Sequence, residues 1–426
     1  MMGLNNAVQR FYFDDAGPVA RERVWSAGFL ASTALTGAIA ALGALSLAWP
    51  GAWEIFDQAT ALMAIAAILP QAIIIWVQDY ARLHFRAWTF VIIVVGQALL
   101  TGGIGAFLIM SAGWGVRGFF AATLLGASVT AVAALLSLKI VPRLAGSRTD
   151  VMRLLRYGAP LVPAGLFIWA SSAVTRWQLL HFSSLDAAGI FDVAWKLSAP
   201  VWILNVAVGQ AFGPFAFKLR AEVTEYRLRL IETLHLIGVV TMVATCAVIL
   251  FMPELCWLVM PPAYASAALP CGVLAFGFYF SALHQVTSLG ISFAQRSDLI
   301  AVAWGGAAAL TFLLGFVLIP RLGPTGGAWC VALAYPALNG FYLVWTQRLH
   351  PLPFRVPPLA VQTAVGLLTL GFVAALQLVP LGVALAGFKC AWFGLMIAVL
   401  WRWGGAEKEQ MLSGLKQTLA RFRPAT

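Results

Sequence analysis

The sequence predicts an all-α, polytopic membrane protein of about twelve transmembrane helices in two pseudo-symmetric lobes. Composition, the spacing of the apolar stretches and a one-sided placement of basic residues predict it. Of 426 residues, 61% are hydrophobic and 10% charged, and mean hydropathy is +0.88. Soluble domains carry about 25% charged residues, so a soluble globular protein is excluded.

Stretches able to span fall near 24–48, 56–78, 88–110, 116–138, 158–181 and 187–214. Six more fall near 236–258, 267–293, 299–319, 326–346, 358–380 and 384–401. Each approaches the ~20 residues needed to cross a ~30 Å hydrocarbon core. Turn-rich segments separate them, among them WPGAW at 49, SAGWG at 111, PRLGP at 320 and HPLPFRVPP at 350. The start is expected to carry no signal peptide, because Asp14, Asp15 and Glu22 interrupt it before any long apolar run. Cys246, Cys256, Cys271, Cys330 and Cys390 stand singly in or beside apolar runs. Without C-x-x-C spacing they indicate neither zinc nor a disulfide framework.

The net charge of +11 would suit a nucleic-acid partner, but topology accounts for it. With loops numbered alternately, twenty-two of the 27 lysines and arginines fall on one side. The positive-inside rule makes that side cytoplasmic, with both termini there. The opposite loops are short, so function has to reside between helices. After Trp403, residues Met411, Leu412, Leu415, Leu419 and Phe422 recur at helical spacing among lysines and arginines, as in a helix lying on the inner membrane surface or an ordinary frayed tail.

Two halves can be overlaid. A shift of 206 residues sets Gly3 on Gly209, Phe11 on Phe217, Arg21 on Arg227 and Arg23 on Arg229. A shift of 208 sets Gly115 and Gly118 on Gly323 and Gly326. A parallel duplication of six helices per copy follows, as in two-lobed transporters. Two helices precede the matching segment in the second copy and none in the first, so the opening reads as the end of a helix and its loop. The expected divisions are 1–150 for the N-terminal lobe, 151–350 for the C-terminal lobe, 351–404 for two added helices and 405–426 for the basic tail.

Within residues 153–217 stand Tyr157, Gly158, Pro160 and Pro163; Arg176 and Trp177; Gly189, Ile190, Phe191, Ala194 and Lys196; and Gly213, Pro214 and Phe215. These resemble the YG-x-P-x-x-P, Arg-bulky, G-[LI]-[YF]-x-x-A-x-K and G-P-F segments of polysaccharide-biosynthesis flippases. That family lies in the multidrug/oligosaccharidyl-lipid/polysaccharide exporter superfamily. The opening NNAVQRFYFD resembles the family's link between its second and third helices, so the first two family helices are absent. Where an acidic residue is common before the Arg, this chain has Thr175.

The resemblance implies a two-lobed exporter of the multidrug-extrusion type in a bacterial inner membrane. It implies movement of an undecaprenyl-diphosphate-linked oligosaccharide between leaflets for O-antigen, capsule or exopolysaccharide assembly. No bond is made or broken, so the chain is expected to be no enzyme and to need no cofactor or metal. A polysaccharide polymerase and a chain-length regulator are the implied protein partners, and membrane lipids surround it. The alternatives are a cation-coupled multidrug exporter, a polymerase or ligase of the same pathway, and an inactive or regulatory remnant. A polymerase or ligase would carry a long outer loop rich in Arg and His, which this chain lacks.

Arg176, Asp192 and Lys196 lie inside predicted spans, where a charge costs roughly 2.5–3.5 kcal/mol on insertion scales. Asp192 precedes Lys196 by four residues and shares its helical face. Either the trio forms a cationic cavity wall for a diphosphate or acidic sugar, or it satisfies itself and ties a hairpin together. Trp169 and Trp195 stack on sugar rings or simply pack. Arg117, Arg321 and Lys389 read as side chains snorkelling at outer ends. Glu54, Asp57 and Glu254 read as solvated loop carboxylates, and Asp79 as an interfacial partner of Arg82. Asp192 is then the best candidate for a buried coupling acid. His284 bonds either a neighbouring carbonyl or a sugar.

Overall fold

A computed structural model describes residues 3–14, 17–48, 57–138, 148–222, 226–376 and 383–404. The basic tail, Glu54 and the loop bearing Lys139 and Arg143 lie outside them. The described residues form α1 (Leu4–Phe11), α2 (Pro18–Ser46), α3 (Gln58–Leu83), α4 (Ala87–Ala106), α5 (Gly115–Leu138), α6 (Arg148–Gly158), α7 (Leu161–Phe182) and α8 (Leu185–Leu197). There follow α9 (Ala199–Glu222), α10 (Tyr226–Val259), α11 (Ala268–Thr287), α12 (Leu289–Phe293), α13 (Ser297–Leu349), α14 (Val356–Leu376) and α15 (Val383–Trp403).

Among the described residues, ten helical stretches are long and apolar enough to cross a membrane. One of them, α13, supplies two of the expected spans. Its 53 residues would reach about 80 Å if straight, more than twice the hydrocarbon core. The run breaks at Gly323 (φ 54°, ψ −129°), between Pro320 and Pro324. A Cβ on Gly326 would strike the backbone of Leu318 and Ile319, so the chain doubles back there. The expected PRLGP loop is thus a break at one left-handed glycine. The 21 residues of α15, about 31 Å long, cover the last expected span and are not one of those ten stretches. The expected span 187–214 is divided at Ser198 into α8 and α9.

The chain forms two compact units, residues 1–162 and 163–426. The first therefore runs past the expected boundary at 150, because α6 seats on α1. Phe11 meets Tyr157 edge-on (5.7 Å), and the Arg153 guanidinium covers Phe11 at 4.1 Å. Around α3, Trp25 and Trp76 are buried, 6.2 Å apart and nearly perpendicular. Asp79 is 1% exposed and takes bonds from Gln9 and Arg82. The expected partnership with Arg82 is present, and the carboxylate is buried beneath α1. At the start of α3, Asp57 accepts from the Thr60 amide (3.2 Å) and from Arg117 (3.0 Å). Arg117 is therefore paired, and does not simply reach for headgroups.

The second unit is built around α11, which is buried along almost its whole length. The close approach of its neighbours rests on small residues, as in membrane bundles generally. Gly277 lies where a Cβ would come within 2.8 Å of the Ala332 Cα. Three glutamines lie over glycines of neighbouring helices: Gln178 on Gly315, Gln285 on Gly209 and Gln362 on Gly238. The missing side chain leaves room for the carboxamide. Gln178 donates to the Phe312 carbonyl (2.8 Å) and Gln362 to the Gly404 carbonyl (2.6 Å). Here α14 and α15 pack on α10, inside the same unit as residues 163–349. Lys389 is 3% exposed and bonds Glu254 at 2.5 Å. Neither the snorkelling assigned to Lys389 nor the free solvation assigned to Glu254 is observed, because α15 lies against α10 and encloses the ammonium.

Two backbone turns of the first unit have counterparts in the second. The turn after α3 has Phe85 at φ 55°, and the turn after α12 has Gln295 at φ 59°, both non-glycine residues. Both are Schellman closures. Phe85 donates to Arg82 and Arg86 to Ala81 (2.9 and 2.8 Å), while Gln295 donates to Ser292 and Arg296 to Ile291 (both 3.1 Å). Gly115 (φ 51°) and Gly323 (φ 54°) form a second matching pair. Gly3 and Gly209 do not share a conformation: Gly3 is left-handed (φ 63°) before α1, and Gly209 lies within α9.

Gly277→Ala is expected to lower the melting temperature of the detergent-purified protein, at a cost of about 1–3 kcal/mol for the overpacked α11–α13 contact. Gly371→Ala, where a Cβ meets nothing within 4 Å, is expected to leave it unchanged. Equal melting of the two variants would contradict the close approach. The Asp57 carboxyl is held at about 2 by the Thr60 hydroxyl and then by Arg117. A depressed carboxyl contributes stability above its unfolded value, near 3.9, and loses it as pH falls toward about 2. Asp57→Asn is expected to flatten the thermal-stability profile between those values, and an unaltered profile would refute the assignment.

Candidate functional site

In the second unit, α7, α8, α9 and both arms of α13 enclose a cavity of about 300 Å³. Trp169, Trp195, Trp202, Trp304 and Tyr335 line it, with Ser171, Ser172 and Thr311 supplying hydroxyls. No ionisable Asp, Glu, Lys, Arg or His side chain is among its lining residues.

The packing explains why these rings hold their places. Trp195 and Trp202 both lean on Phe278, with centroids at 5.3 and 5.2 Å. Trp304 stands perpendicular to Tyr335 at 6.1 Å. Trp169 is 69% exposed, and no ring pairs with it among the described residues. The hydroxyls are fixed by their own helices: Ser171 donates to the Phe167 carbonyl (2.8 Å), Ser172 to Trp169 (2.9 Å) and Thr311 to Ala307 (2.9 Å). Their protons are committed and their remaining lone pairs are available.

No protein-family model matches the chain, and no curated protein does. Solved structures do match. The chain resembles an outward-facing multidrug resistance MATE family transporter of the MOP superfamily, with 15% identity and a TM-score of 0.64 over 82% of each chain. It resembles a MATE transporter of Vibrio cholerae with 12% identity and a TM-score of 0.67, over 82% of this chain and 83% of that one. It also resembles the lipid II flippase MurJ in an inward closed conformation. Identity there is 11% and the TM-score 0.61, over 94% of this chain and 90% of that one. The chain shares the all-helical, two-lobe fold of these solved structures.

On that fold, the residues singled out in the sequence separate into two groups. Trp169 and Trp195 are on the cavity wall. Arg176, Asp192 and Lys196 are not among its lining residues. Arg176 lies one helical turn past Ser172 on α7, and Asp192 one turn before Trp195 on α8. The Arg176 Nε donates to Asp192 Oδ1 at 2.6 Å, with both side chains substantially exposed (51% and 39%). Lys196 is exposed, and no carboxylate pairs with it among the described residues. The expected trio is therefore an ion pair and a separate cation. The α8 turn sets Asp192 toward Arg176, which takes up the carboxylate.

Three further expectations are resolved here. Thr175 is fully buried and donates to the Ser171 carbonyl (2.9 Å). It faces Gly327, so an acid in its place would be desolvated. The buried carboxylate of the described residues is Asp79, not Asp192. His284 bonds the Ser281 carbonyl through Nδ1, the first of its two expected roles. Sequence reasoning missed Trp202, Trp304, Tyr335 and Thr311, since intramembrane aromatics and threonines occur equally in ordinary packing. The run WASSAVT, polar within a span, was the available signal for Ser171 and Ser172.

A cavity of this lining is expected to hold water. In a Cys390→Ser background, which removes the exposed native thiol, Ser172→Cys should react with a charged, water-soluble thiosulfonate reagent. Absence of labelling in folded protein would show the cavity closed to water.

Proposed function

We propose that the chain is a lipid-linked oligosaccharide flippase of a bacterial inner membrane, with both termini cytoplasmic. In this reading it moves undecaprenyl-diphosphate-linked repeat units between leaflets for surface polysaccharide assembly. The observation that carries the reading is the aromatic and hydroxyl-lined cavity, with Arg176 one turn beyond it on α7 and Lys196 next to Trp195 on α8. Indole faces and hydroxyl lone pairs suit a sugar, and Lys196 and Arg176 suit the diphosphate behind it. Asp192 orients Arg176 without consuming all its donors, since a guanidinium has five. The fold of MurJ, a lipid II flippase, supports a lipid-linked cargo.

A second reading, a cation-coupled multidrug exporter, is favoured by the same tryptophans, because indole faces attract organic cations. The likeness to MATE transporters supports it. Against it, Asp192 is already engaged by Arg176, and the cavity wall carries no acid.

Depletion of the protein should accumulate a lipid-linked oligosaccharide, read by mass spectrometry of membrane lipids. Arg176→Gln and Lys196→Gln, assayed separately at unchanged membrane abundance, are each expected to slow transport roughly tenfold or more, as loss of a charge-assisted contact does. Wild-type transport in both would remove them from the mechanism. Unchanged lipid intermediates together with lost efflux of an organic cation would favour the second reading.

A further inference from the structure

We infer that the tryptophan-lined cavity is a receptor for an uncharged pyranose of the cargo head group and discriminates against acidic sugars. The inference rests on the flippase reading and narrows its substrate class.

A pyranose presents C–H bonds on its faces and hydroxyls around its rim. The faces need flat, polarisable surfaces, and the rim needs both donors and acceptors. Trp195, Trp202 and Trp304 are held by Phe278 and Tyr335, so they form a preorganised wall that loses little freedom on binding. Trp169, exposed and without a ring partner among the described residues, is the adjustable plate that can close on the ring. An indole also carries an N–H donor, which none of the four tryptophans of the lining spends on another group among the described residues. The lone pairs of Ser171, Ser172 and Thr311 accept from sugar hydroxyls, because their own protons are committed to backbone carbonyls.

Charge decides the selectivity. A sugar carboxylate entering this wall would be desolvated with no counter-ion beside it, which is costly. The nearest guanidinium on α7, Arg176, lies one turn beyond Ser172 and outside the lining, with one of its donors held by Asp192 at 2.6 Å. Lys196 is outside the lining and serves the anionic diphosphate. The ring and the charged linker of one cargo are thus received by different residues: neutral aromatics for the sugar, cations for the phosphates.

The test uses the full chain in detergent with two short-chain polyprenyl-diphosphate sugars that differ at one carbon, glucose-headed and glucuronate-headed. Binding is read by quenching of tryptophan fluorescence and by native mass spectrometry. The glucose-headed lipid should bind at least about tenfold tighter. Trp169→Ala should weaken it roughly 3- to 10-fold, the scale of a lost aromatic contact, while Trp169→Phe retains most of the affinity. Asp192→Asn, which frees Arg176, should narrow the gap between the two lipids. Equal binding of both lipids, unaffected by Trp169→Ala, would overturn the inference while leaving the flippase reading intact if either is flipped in proteoliposomes. Binding of tetraphenylphosphonium that depends on Trp169, with neither lipid bound or flipped, would overturn both.

Discussion

Every backbone polar group within a membrane-spanning bundle has to be satisfied by the protein itself, and this constraint organises the second unit. Its helices satisfy their backbones internally, so the side-chain amides and hydroxyls between them need other partners. Asn339 donates to the Phe280 carbonyl at 2.8 Å and accepts from Thr287 at 2.8 Å, while Thr346 donates to the Thr287 carbonyl at 2.7 Å. Tyr279 donates to Gln362 at 3.0 Å, and Gln362 passes on to Gly404. These bonds require helices to approach closely, which the glycines opposite Gln178, Gln285 and Gln362 permit. Small residues and carboxamides therefore work as pairs: one makes the space and the other uses it.

The cavity is a local departure from that economy. Between α7 and α13 interhelical space is left open and lined with rings. Phe278, on the central α11, braces two of the tryptophans, so the rigid core and the open wall share one residue. Placing the ion pair one turn away from the cavity leaves the wall free of charge. The arrangement separates recognition of a ring from recognition of a charge on adjacent turns of α7 and α8.

Lys389 and Asp79 show how far the identity of a charged residue is from its environment. Both sit near ends of predicted spans, where sequence position suggests water or headgroups. Lys389 is enclosed because α15 packs on α10 and brings Glu254 within reach. Asp79 is enclosed because α1 lies over the end of α3 and supplies Gln9. In both cases a long-range contact, not hydropathy, determined the surroundings.

The sequence by itself determined most of the helices and their approximate ends, because apolar length and turn residues act within a few residues of chain. It marked Trp169, Trp195, Arg176, Asp192 and Lys196 as unusual within spans, since each violates the local apolar pattern or enriches it in rings. Only the tertiary structure decided which of them meet. Arg176 and Asp192 come together from α7 and α8, while Lys196, on the same face as Asp192, remains apart. Trp202, Trp304 and Tyr335 join Trp169 and Trp195 across helices distant in sequence. A side chain's neighbours across a helix interface depend on helix rotation and on glycine-sized gaps in other segments. That information is spread over the chain and becomes legible only once the helices are packed.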